Sequence, residues 1–98
     1  MKIPETVLIG SIEYKVILED SLSTKEEVGL IEYQEGLIHV ATKASGGALM
    51  PQSRIEHTFI HEYLHGVFDE MQEFTLCSDE RFVNQLATHI HKLIEQTQ

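Results

Sequence analysis

PQSRIEHTFIHEYLHGVFDEM, residues 51–71, is the stretch from which the rest of the fold can be worked out. Pro51 suits the first turn of a helix, where its missing N–H costs nothing. At about 100° per residue, Ile60, Leu64, Val67, Phe68 and Met71 fall on one apolar stripe, which predicts a helix from Gln52 to Met71. His61 and His65 flank that stripe one turn apart, so both imidazoles can face a single ion. Glu62 points to one side of the pair, where a carboxylate reaches a metal-bound water more readily than the metal. The five residues His61-Glu62-Tyr63-Leu64-His65 therefore spell two ligands and a base.

Upstream, apolar residues alternate as in strands. Val7-Leu8-Ile9, a turn at Gly10-Ser11 and Ile12 to Leu18 predict one hairpin. Gly29 to Tyr33, the turn Gln34-Glu35-Gly36 and Leu37 to Ala41 predict a second, with Gly36 supplying a positive φ. A polar loop from Glu19 to Glu27 separates them, and a loop with Gly46-Gly47 leads into the helix. Downstream, a connector from Gln72 to Cys77 precedes a cap at Ser78 or Asp79. A second helix follows, with Phe82, Val83, Leu86, Ala87, Ile90, Leu93 and Ile94 as its buried face. The expected fold class is α+β: a small antiparallel sheet of three or four strands followed by two packed helices, in one domain over residues 1–98.

A catalytic zinc takes three protein ligands, so a third is needed. Glu80 opens the second helix and flanks its apolar stripe as the histidines flank theirs, and antiparallel packing would bring it to His65. Asp79 competes, although capping suits it better, and Cys77 is a competent ligand if its loop turns inward, or else a buried thiol. His57 stacks under His61, but three residues over two turns span ~12 Å, too far for one ion to bind all three. His91 shares the edge of Glu80, as a substrate contact or a surface residue. His89 faces solvent, His39 is a pocket wall or exposed, and Asn84 either supports Glu80 or is a surface amide.

Composition narrows the classes. The 98 residues carry a formal charge of −9, and a nucleic-acid partner is not expected because phosphate contacts need a basic face. No apolar run approaches the ~20 residues that span a bilayer, so no membrane partner is expected. A single cysteine and the lack of a charged-then-apolar leader point to the cytoplasm.

The order of parts resembles the small phage- or prophage-encoded zinc-metallopeptidase-like proteins. In these a short sheet precedes an HExxH helix and a glutamate follows on the next helix. The residues that carry the likeness are Gly29 to Tyr33 with Leu37 to Val40, then His61 to His65, then Asp79-Glu80. More distantly, the chain looks like the peptidase domain that cleaves repressors in mobile genetic elements. The resemblance implies a minimal gluzincin-like peptidase acting on a peptide or protein, with Zn2+ on His61, His65 and Glu80 and with Glu62 as general base.

The strand Leu37 to Thr42 is the expected substrate-aligning edge. Tyr14, Tyr33 and Tyr63 are the tyrosines available to an oxyanion, Tyr63 reading rather as core. Two rival readings are a non-catalytic, zinc-stabilised accessory protein and a metal-free interaction domain.

Overall fold

The computed structural model describes residues 1–20, 28–44 and 46–98. Among the described residues four strands precede three helices: β1 (Thr6–Ile9), β2 (Ile12–Glu19), β3 (Gly29–Glu32), β4 (Leu37–Ala41), α1 (Gln52–Glu70), α2 (Phe74–Cys77) and α3 (Glu80–Gln96). The α+β order expected from the sequence is the observed one. Of the expected polar loop from Glu19 to Glu27, residues 21–27 lie outside the described residues, as does Ser45.

Both hairpins form. β1 pairs antiparallel with β2, Val7 opposite Tyr14, and β3 pairs antiparallel with β4, Ile31 opposite Ile38. Gly36 takes φ 67 in the second turn, as expected. The sheet is nevertheless mixed, because its order is β1-β2-β4-β3 and β2 runs parallel to β4, Val16 opposite Ile38. Local alternation fixes which residues share a face but not which strands of two hairpins become neighbours. β4 takes an interior place beside β2, and its Ile38 and Val40 are both 0% exposed. With β4 interior, Leu37–Thr42 is not the edge the sequence suggested; the edge strands are β1 and β3.

α1 lies across the sheet, and Gly66 is one point of close approach. A Cβ there would stand 2.5 Å from Ile9 Cδ1 and 3.0 Å from Ile31 Cδ1. Pro51 acts as the N-cap rather than the first helical residue, and Met71 forms the C-cap. The end of the expected stripe is correspondingly exposed, with Met71 at 57%. Ile55, Phe59, Ile60, Leu64 and Phe68 form the buried side of the helix, with Tyr63 packed at the margin of the core.

The connector contains the short turn α2, and Asp79 then caps α3 by accepting from Phe82 N–H. Val83 and Ala87 are fully buried, but Leu93 and Phe82, expected on the buried face, are 62% and 38% exposed. They sit at the margins of a stripe narrower than the sequence pattern suggested. α3 returns antiparallel to α1: His91 meets Glu56, Thr88 meets His57, and Glu80 meets His61 and His65. Among the described residues no helix is long and apolar enough to cross a membrane.

Candidate metal centre

The geometry of α1 and the turn into α3 build the centre. His61 and His65 project from adjacent turns of α1, with ring centroids 4.8 Å apart and Nε2 atoms 3.1 Å apart. Because Asp79 fixes where α3 begins, Glu80 stands in its first turn and extends its carboxylate between the rings. Its Oε2 lies 3.1 Å from His61 Nε2 and its Oε1 2.8 Å from His65 Nε2. Bonds of about 2.0–2.1 Å at tetrahedral angles set ligand atoms about 3.3–3.4 Å apart. The contacts to His61 and His65 use different Glu80 oxygens, and one ligand atom from each of the three residues lies within 4.8 Å of the others, which sets the donors around a common point. Two imidazoles and a carboxylate are also a donor set that suits zinc. Of the described residues, His61, His65 and Glu80 are the one group of three or more His, Cys, Asp or Glu side chains close enough to share an ion.

Electrostatics favour at His61 the neutral ring a metal requires. Burial, then the neighbouring His65 imidazole, lowers the His61 pKa below that of a free histidine, and the Glu80 carboxylate opposes this only in part. His65 is itself buried, at 7% exposed. Its other ring nitrogen, Nδ1, faces Cys77 Sγ at 3.8 Å.

Glu62 is buried at 9% exposed and lies at the junction of two clefts. One, of about 310 Å³, is lined by Gly29, Leu30, Ile31, Tyr33, Glu62, His65 and Glu80. The other, of about 220 Å³, is lined by Val28, Gly29, His57, Thr58, His61, Glu62, Glu80 and Asn84. Gly29 lets β3 pass directly over Glu62: a Cβ on it would stand 2.8 Å from Glu62 Oε2 and 2.6 Å from Thr58 Cγ2. The edge of β3 thus roofs the carboxylate.

The remaining candidates separate cleanly. His57 bonds Thr88 Oγ1 at 3.0 Å, its ring 6.4 Å from that of His61, so it borders the centre without joining it. His91 is not a surface residue: it is 7% exposed and bonds Glu56 at 2.9 Å. Burial raises the pKa of Glu56, but hydrogen bonds from His91, Gln52 and the N-terminal amine outweigh it, and the carboxyl is held below its usual range. His89 is exposed, and Asn84 lines the smaller cleft. His39 lies between Glu19 and Glu32, away from the centre. Of the three tyrosines, Tyr33 lines the larger cleft.

Sequence reasoning missed two participants: the edge of β3 and Cys77 as the partner of His65 Nδ1. Gly29 was the available signal for the first, a glycine inside an otherwise β-forming run that marks close backbone approach. Family models, curated proteins and solved structures were each compared with the chain, and none matches it.

Proposed function

We propose that the chain is a zinc-dependent peptidase-like hydrolase, in which His61, His65 and Glu80 hold Zn2+, Glu62 is the general base and an extended peptide or protein segment lies along β3. The observation that carries this reading is the convergence of three ligand atoms beside a buried glutamate under an open strand edge. When bound, zinc supplies Lewis-acid polarisation of a water and of the scissile carbonyl. Glu62 accepts the water proton and passes it to the leaving amine nitrogen.

Substrate alignment falls to β3. Ala41 N–H donates to Val28 C=O, and antiparallel alternation from that pair directs the Leu30 backbone toward β4. The N–H and C=O groups of Gly29 and Ile31 then face the open edge, where an added strand binds. Tyr33 places its hydroxyl on the same cleft. Burial and its hydrogen bond with Cys77 raise its pKa, so the hydroxyl stays protonated at neutral pH.

The test is a peptide library cleaved by the zinc-loaded chain and by Glu62→Gln. The variant keeps one zinc per chain and loses about 10²–10⁴ in rate, the usual contribution of a general base. Equal cleavage by both proteins would sink the reading, as would the absence of bound zinc in the unsubstituted chain.

One observation favours a second reading. Glu80 belongs to α3 and the histidines to α1, so the ion would also staple the two helices. A zinc-stabilised accessory protein is then the alternative. It is favoured if zinc raises the melting temperature while no peptide is cleaved.

A further inference from the structure

We infer that Cys77 is a positioning residue for the metal centre: its thiol fixes the ring of His65 and ties that ligand to Tyr33 across the cleft. This rests on the metal-centre reading above and goes beyond it by giving a role to the sole cysteine of the chain.

Three contacts converge on one sulfur. His65 Nδ1 lies 3.8 Å from Cys77 Sγ, the Cys77 thiol reaches the His65 carbonyl oxygen at 3.4 Å, and Tyr33 Oη lies 3.5 Å from the same sulfur. One assignment of hydrogens satisfies all three. His65 Nδ1–H and the Tyr33 hydroxyl donate to the sulfur, and the S–H donates to the His65 carbonyl. His65 then holds its proton on Nδ1, which leaves the Nε2 lone pair facing His61 and Glu80.

Metal-binding histidines usually receive this support from a carboxylate, a backbone carbonyl or a water. Here a thiol takes that place. Its location follows from the short turn between the helices: Cys77 ends α2, and its own N–H donates to Glu73 C=O, which turns the side chain back under α1. Because His65 is 7% exposed, solvent is poorly placed to replace the sulfur.

The experiment measures Zn2+ affinity by chelator competition, and the visible spectrum of the Co2+-loaded protein, for the unsubstituted chain, Cys77→Ala, Cys77→Ser and Tyr33→Phe. Cys77→Ala lowers affinity about 10–100-fold, the usual cost of losing such a partner, and alters the Co2+ bands. Cys77→Ser restores both to near the unsubstituted values, because a hydroxyl can accept from Nδ1–H and donate to the carbonyl. Tyr33→Phe leaves the sulfur in place and changes affinity little. Equal affinity and equal spectra for Cys77→Ala and the unsubstituted chain would overturn the inference, as would a serine variant as weak as alanine.

Should Cys77→Ala not fold, Cys77→Val, of similar volume and without hydrogen-bonding capacity, takes its place in the same comparison. A chain that binds neither ion before substitution overturns the metal-centre reading itself. Normal binding that is indifferent to position 77 removes only the role of Cys77.

Discussion

Two clusters of histidine and carboxylate side chains lie on different parts of this fold, and they do opposite things with the same chemistry. On the helices, His61 and His65 share one carboxylate, Glu80. On the sheet, His39 is shared by two, Glu19 at Nδ1 and Glu32 at Nε2. The helical nitrogens converge on a common point, whereas the two nitrogens of a single ring face away from each other and each is taken. The balance of charge follows. Burial and a second imidazole lower the pKa of His61. Burial would lower that of His39 too, but hydrogen bonds to Glu32 and Glu19 outweigh it and raise the pKa. The surroundings therefore favour the neutral ring at His61 and the protonated ring at His39, where Glu19 and Glu32 link β4 to β2 and β3.

Removing a proposed ligand is the most direct way to break this contrast. His65→Ala or Glu80→Ala should lower zinc affinity by more than the roughly 10–100-fold that loss of an outer partner costs. His39→Ala should leave it unchanged, and calorimetric titration of the three proteins checks both arms. Equal losses at position 39 and position 65 would mean that the two clusters are not distinct.

Stability sharpens the same division. Zinc at about a hundredfold excess over its dissociation constant adds about 2.7 kcal/mol. In a domain of this size each kcal/mol is worth about 4–8 °C, so the melting temperature should rise by about 10–20 °C. Melts with zinc and with a chelator measure it. A rise that survives in His65→Ala would place the ion somewhere other than between the helices.

β3 joins the two clusters, with Glu32 gripping His39 on one face and Gly29 pressed against Glu62 and Thr58 on the other. Gly29→Ala forces those contacts apart and should cost about 1–3 kcal/mol in urea unfolding, as overpacking does. Gly46→Ala is the control, since a Cβ there meets nothing within 4 Å. It should stay within about 0.5 kcal/mol of the unsubstituted protein, as surface changes do.

How much of this was legible beforehand depends on range in the sequence. The helix, the facing histidines and the cap at Asp79 rest on spacings of three and four residues, which helical geometry alone converts into positions. Glu80 required one further step, that a short connector returns α3 antiparallel, and its contacts with both histidines agree with it. The parallel pairing of β2 with β4 was not legible, because alternation assigns faces and leaves the order of two hairpins open. Hence the sequence pattern suggested an edge at Leu37–Thr42, whereas β4 is interior and β3 lies at an edge. His91 and Glu56 form a buried pair thirty-five residues apart, and no local pattern announces such a partner.

The smallest expected effect is also the one that tests the sheet cluster by its sign. A histidine whose pKa is raised in the fold stabilises it fully below its unfolded value, near 6.5. That contribution fades as pH climbs through the higher folded value. His39→Gln, which retains hydrogen-bonding capacity but not the charge, should therefore cost about 1 kcal/mol near pH 5.5, the upper range for exposed ion pairs, and progressively less toward pH 9. The cost stays small because Glu19 and Glu32 are 37% and 38% exposed, so water screens both, and added salt should reduce it further. Urea unfolding of both proteins at two pH values and two salt concentrations makes the measurement. A cost that grows with pH would mean that the ring works there as a neutral bridge, and the sheet cluster would then resemble the metal-ready histidines instead of opposing them.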